Sequence, residues 1–137
     1  MSWKEIEKDL LERFGEDFSE WQWSGPNRIR ARLRPGSLAA AARFLAEGGR
    51  VRFISATALE TPARAIDVWY HFDFFQTAQV LSARVTVPQD DPVLPSIASF
   101  WPNAEWSERE AARASGVRFR KDAVSSRAAG KPDGKTR

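Results

Sequence analysis

Few side chains in this 137-residue sequence are suited to chemistry: there is one histidine, one tyrosine and no cysteine. The densest set is Asp67, His71 and Asp73, which strand alternation would place on one face with Trp69 between them. Two carboxylates and an imidazole suit a hard or borderline metal ion. They suit a hydrogen-bonded or solvent-facing cluster better, because only three candidate ligands are in view. Glu108-Arg109-Glu110 offers two carboxylates for acid–base work, but neighbours on a helix diverge, so salt bridges are the better reading. Arg28, Arg30, Arg32 and Arg34 alternate with apolar residues and would spread over about 20 Å of one strand face. That stripe suits a solvated face or an acidic protein partner. Nucleic acid is disfavoured, since no aromatic residue is interleaved for stacking. The missing cysteines exclude disulfides, zinc–thiolate sites, iron–sulfur ligation and a thiol nucleophile. No independent enzymatic activity is expected, and no metal or cofactor held by this chain.

The elements that must position these residues follow from periodicity. Trp3, Ile6, Leu10 and Phe14 recur at helical spacing, with Ser2 and Glu5 at capping-box spacing and Gly15 as a stop. Residues 16–26 lack a sustained period and are expected to be a loop with two tryptophans to bury. Asn27 to Arg34 alternate as a half-buried strand, with Ile29, Ala31 and Leu33 inward. Ser37 is expected to cap an alanine-rich helix over Leu38 to Glu47. Three further strands are expected at 50–58, 65–75 and 79–87, joined by short connections that favour antiparallel pairing. Pro88 to Pro95 reads as a rigid link, Ser96 to Trp101 as a short helix, and Pro102-Asn-Ala as a turn. Ser107 and Glu110 repeat the capping-box spacing, and Gly116 would end that last helix. The expectation is an α+β domain over 1–119, a roughly four-stranded, mainly antiparallel sheet with helices packed on it, followed by a basic tail over 120–137.

Length and composition suit one domain with one core. The net charge of +3 is uneven. Residues 26–50 carry a net +5 and 111–137 a net +6, against −4 over 1–25 and −4 over 51–110. No apolar run approaches the roughly 20 residues that span a bilayer, and the charged N-terminus does not suit a secretory signal. A soluble chain is expected, able to dock on a membrane complex.

Residues 70–119 carry a more specific pattern. Tyr70-His-Phe is followed by Val85-Thr-Val-Pro-Gln-Asp-Asp-Pro-Val-Leu-Pro-Ser-Ile, then Trp101-Pro-Asn-Ala-Glu-Trp-Ser-Glu-Arg-Glu, then Gly116-Val-Arg-Phe. In this order the segments closely resemble the thirty-kilodalton subunit family of respiratory complex I, known in bacteria as the C subunit of NADH dehydrogenase. Relatives occur in membrane-bound energy-converting [NiFe] hydrogenases and formate hydrogenlyases.

The resemblance implies a structural subunit without a cofactor of its own, clamped against a catalytic large subunit and a small iron–sulfur subunit. Iron–sulfur clusters and [NiFe] or NADH and quinone sites would then lie on those partners. It points to Pro92, Pro95, Trp101, Trp106, Glu108, Arg109 and Glu110 as partner-facing; the arginine stripe is a further candidate interface on its charge pattern, apart from the resemblance. The implied location is the inner face of the cell membrane, on the cytoplasmic side, attached through the complex. Two departures stand out. Arg113, Ala114 and Ser115 replace the family's acidic and then bulky residues, and residues 120–137 do not resemble its basic, proline-containing extension. Both lead to the expectation of a [NiFe]-hydrogenase-type subunit, with the C subunit of NADH–quinone oxidoreductase as the alternative and a small nucleic-acid-binding adaptor as a third.

Overall fold

The computed structural model describes residues 3–121. Helix α1 (Trp3–Phe14) leads through a 3-10 turn at Gly15–Asp17 into strands β1 (Phe18–Trp23) and β2 (Arg28–Leu33). Helix α2 (Leu38–Ala46) carries the chain to β3 (Arg52–Thr61), β4 (Ala65–Phe74) and β5 (Gln79–Pro88). A short strand β6 (Val93–Pro95), helix α3 (Ala104–Ser115) and strand β7 (Arg118–Arg120) complete it.

The main sheet has five strands in the order β1-β2-β5-β4-β3, and β6 pairs with β7 in a separate two-stranded sheet. Neighbours in the main sheet are antiparallel except β2 and β5, which run parallel. β6 and β7 are also parallel. The α+β class and mostly antiparallel sheet agree with the sequence, but the strand count does not. Residues 18–23 form an edge strand in place of the expected loop. A bulge between Ser19 and Gln22 breaks its register and hides the alternation. Of its two tryptophans, Trp21 is half-buried and Trp23 is 50% exposed.

Alternation decides which sheet face is buried. On β4, Ile66, Val68, Tyr70, Phe72 and Phe74 point into the core, as do Leu81, Ala83, Val85 and Val87 on β5. All three helices contribute to that same core: Trp3, Ile6 and Leu10 from α1, Leu38, Ala41 and Leu45 from α2, Ala104 from α3. Each large side chain so buried contributes roughly 1.5–3 kcal/mol. Trp3 meets Phe74 edge-on at 5.1 Å between ring centroids. The imperfect period of β3 has a cause of its own, a register shift between Phe53 and Ser55.

Three local expectations are corrected. Ser37 does not cap α2: a 3-10 turn at Pro35–Ser37 precedes the helix, and the Ser37 hydroxyl donates to the Asp17 carboxylate at 2.8 Å. Ser96 to Trp101 form no helix, only one turn in which the Ile97 carbonyl accepts from the Phe100 and Trp101 amides. Ser107 and Glu110 form no capping box, because α3 begins at Ala104 and both lie within it. The expected Ser2 cap lies outside the described residues, and so does the expected 120–137 tail from residue 122 on; Arg120, expected to begin it, belongs instead to β7.

Candidate partner interface

The residues singled out between 92 and 110 meet where α3 packs beside the β6–β7 pair. Their arrangement begins with three prolines. Pro88, Pro92 and Pro95 lack N–H donors, so the segment is held through the carbonyls of Pro88 and Pro92 and the amides of the residues between and after the prolines. The Arg118 amide donates to the Pro92 carbonyl at 2.8 Å, and the Ser96 amide to the Arg120 carbonyl at 2.8 Å. Val93, Leu94 and Pro95 lie in register with Arg118, Phe119 and Arg120. The segment after Gly116 is therefore the strand that fixes the proline-rich link.

Glu108 fastens the link to α3. Its side chain is buried, at 4% exposure. One carboxylate oxygen accepts the Ser96 hydroxyl at 2.6 Å and the other accepts the Ile97 amide at 2.7 Å. The Ser96 oxygen in turn accepts the Ala98 amide at 3.1 Å. Burial pushes the Glu108 carboxyl above its ordinary range, and these two hydrogen bonds oppose that shift without cancelling it. Burial, reinforced by the Glu108 charge, also holds the Tyr70 hydroxyl protonated well above its ordinary range. Glu108 is thus a buried acceptor rather than half of a salt bridge. The salt-bridge reading fits its neighbours: Arg109 pairs with Glu105 at 3.3 Å and Glu110 with Arg113 at 3.0 Å. Arg113, whose charge is inverted relative to the family pattern, finds a partner one helical turn away.

The structure separates the predicted partner-facing residues into two groups. Pro92, Trp101 and Glu108 are buried within this chain. Trp101 packs at a tilt against Phe53 and Phe72 and donates its indole N–H to the Val51 carbonyl at 3.2 Å. These three shape the surface without composing it. Arg109 is exposed, Pro95 and Glu110 are partly so, and Trp106 is 65% exposed. Beside them a groove of about 280 Å3 runs between α3 and β7, lined by Arg109, Ala112, Val117 and Phe119, with Glu108 at its base.

The other candidates lie on the opposite sheet face. Arg28, Arg30 and Arg32 project outward from β2. Arg30 donates to Gln22 at 3.5 Å, Arg32 pairs with Glu20 at 3.4 Å, and Arg34 pairs with Asp17 at 3.4 Å. Two further contributors to this face escape sequence reasoning: Arg84 of β5, 2.9 Å from Glu20, and Glu20 itself. Arg84 is visible as a polar position of its strand. Glu20 gives no signal, because the period of its own strand is broken.

Asp67, His71 and Asp73 share the outer face of β4 but do not converge. His71 Nδ1 bonds the Ser82 hydroxyl at 2.8 Å, and Asp67 accepts the Thr86 hydroxyl at 2.7 Å. Burial first, and then the Arg28 charge, lower the pKa of His71 below its usual 6.5. Among the described residues no group of three or more histidine, aspartate or glutamate side chains is placed to hold a metal ion.

These features define a class: an α+β domain whose five-stranded sheet is backed by helices on one face, with a proline-rich link clamped beneath its last helix. The same fold occurs in a chain of the membrane-bound sulfane sulfur reductase, an archaeal respiratory membrane complex. The TM-score is 0.74 at 21% identity, covering 89% of this chain and 74% of that one. It also occurs in a trypsin-resistant fragment of Nqo5, with a TM-score of 0.66 at 22% identity, covering 83% and 94%. Residues 31–133 match the family described as "Respiratory-chain NADH dehydrogenase, 30 Kd subunit", and the chain belongs to that family. It is 37% identical over 92 residues to the C subunit of NADH-quinone oxidoreductase from Ruegeria pomeroyi, covering 64% of this chain and 46% of that protein. It is 28% identical over 124 residues to the C subunit of F(420)H(2) dehydrogenase from Methanosarcina mazei, covering 88% and 77%. The chain thus spans about half the length of the first relative and about three quarters of the second.

Proposed function

We propose that this chain is a non-catalytic subunit of a complex I-related, membrane-bound oxidoreductase. Its role is to hold a catalytic large subunit and an iron–sulfur subunit in register, so that electrons cross a fixed distance. One observation carries the reading. The family's motif residues fix α3 to the end of the proline-rich link through Glu108 and Ser96, anchor the turn before α3 to the Val51 carbonyl through Trp101, and leave Trp106 and Arg109 facing outward on that rigid support. Exposed tryptophan and arginine beside a groove are the side chains that anchor protein interfaces. Membership in the thirty-kilodalton subunit family supports the same role. No helix among the described residues is long and apolar enough to cross a membrane, so attachment through partner subunits fits.

The enzyme in which it sits is a finer matter. The departure at Arg113, Ala114 and Ser115 supports a [NiFe]-hydrogenase-type assembly. The identity of 37% to a C subunit of NADH-quinone oxidoreductase supports the respiratory alternative. A mild-detergent pull-down through an N-terminal tag, followed by mass spectrometry, separates them. A nickel–iron large subunit with a small iron–sulfur subunit is the expected recovery. NADH- and quinone-linked subunits would move the protein to the respiratory enzyme, and a free monomer would overturn the assembly role.

A further inference from the structure

The sheet's outer face is covered by no helix among the described residues, since all three helices contribute to the core on the other side. Its β1–β2–β5 half is basic. Arg28, Arg30, Arg32 and Arg84 gather there against a single carboxylate among the described residues, Glu20. β2 and β5 run parallel, and Arg32 lies directly opposite Arg84. Across the next pair Arg84 lies opposite Trp69, whose ring centroid is 6.0 Å from the guanidinium carbon. A hollow of about 280 Å3 lies among Glu20, Gln22, Arg30, Arg32, Trp69 and Arg84. Along its own strand the arginine stripe has no aromatic partner; strand order supplies one from β4.

Glu20 reveals what this hollow accepts. It sits within the β1 bulge at φ 56°, a left-handed conformation that costs a non-glycine residue about 1–2 kcal/mol. From there its carboxylate oxygens reach Arg84 at 2.9 Å and Arg32 at 3.4 Å. All three side chains remain partly open to solvent, at 34% for Arg84, 49% for Arg32 and 55% for Glu20. Arg84 Nε is buried and has no acceptor among the described residues, so the pair leaves donor capacity unused. The geometry points to this face as a docking surface for an acidic segment of a partner polypeptide, its carboxylates joining or displacing Glu20 between Arg30, Arg32 and Arg84 and an apolar residue resting on Trp69.

Charge on the rest of the face selects a peptide over a nucleic acid. Asp67 and Asp73 lie on the same outer face, on β4, two strands from the β2 arginines, where a polyanion broad enough to span the face would lie over them. A phosphodiester backbone bears charge at every step and meets those carboxylates. A short acidic peptide places its charges on the arginine column alone. The surface is distinct from the α3 groove. It deepens the assembly role and takes its biological setting from that reading, whereas its chemistry does not depend on it.

The test uses the full chain and a fluorescein-labelled octaglutamate, with octalysine and a short oligothymidylate as comparisons, read by polarisation at low salt. Octaglutamate binding that weakens with added salt is expected. Arg30→Gln combined with Arg84→Gln should weaken it about fivefold, and Glu20→Gln should tighten it about threefold by freeing both arginines. Tightening is a result that a misfolded variant does not give. Absence of octaglutamate binding, equal binding by the double variant, or unchanged or weaker binding by Glu20→Gln would each overturn the proposal. Tighter binding of oligothymidylate through the same arginines would overturn it in favour of nucleic acid. A pull-down without partners beside a successful titration removes the assembly reading and leaves this one standing.

Discussion

Glu108 and His71 are ionisable groups whose surroundings move them in opposite directions, and pH separates their effects. The folded chain raises the pKa of Glu108, so between the ordinary 4.5 and that raised value it holds a proton the unfolded chain has lost. Stability contributed by Glu108 therefore falls as pH rises through that window. The pKa of His71 is lowered from 6.5, so in the window below 6.5 the unfolded chain holds the extra proton. Its contribution rises with pH up to about 6.5 and is lost as pH falls through the lowered value. Denaturant unfolding across this range should show Glu108→Gln removing the falling limb and His71→Asn removing the rising one. A pH profile unchanged in both variants would contradict these environments. The sequence marks Glu108-Arg109-Glu110 as a unit but not its inward member. That depends on where α3 starts: with Ala104 as its first residue, Ser107, Glu108 and Ala111 take the inner side.

Elements with an unbroken period are legible in the sequence, and those with a defect are not. β2, β4 and β5 alternate strictly, and their inward residues can all be read from that alternation. β1 escapes because its bulge interrupts alternation within a six-residue strand. β6 and β7 escape because each is three residues long and is defined by its partner. The stop of α3 is legible, because Gly116 takes φ 89° as its C-terminal cap. A Cβ there would meet nothing within 4 Å, so Gly116→Ala tests backbone strain alone. We expect a loss of about 1–2 kcal/mol in thermal unfolding. Because Gly116 leads directly into β7, loosening it should also loosen the β6 pairing, read as faster amide exchange at Arg118 and Ser96. An unchanged melting temperature would contradict this.

At the scale of the whole molecule, the sheet separates the two surfaces proposed above as contact sites. Trp106 with Arg109 stands on the helical side and the arginines of β2 on the other. Trp106→Ala paired with Arg109→Ala should lower recovery of partner subunits while shifting stability by no more than about 0.5 kcal/mol, the usual range for exposed positions. Full recovery would move the partner surface elsewhere. The sheet order is the least legible feature. Short connections announce the β3–β4–β5 meander, but nothing local announces that β5 returns beside β2. The register sets Arg28 against Val80 and Arg32 against Arg84. On the ribosome, β2 is therefore made long before the strand that completes it. A nascent chain that stops short of residue 80 keeps the inner edge of β2 unpaired, and such edges attract other chains. The arginines that alternate along this strand would hold nascent copies apart by mutual repulsion until β5 emerges.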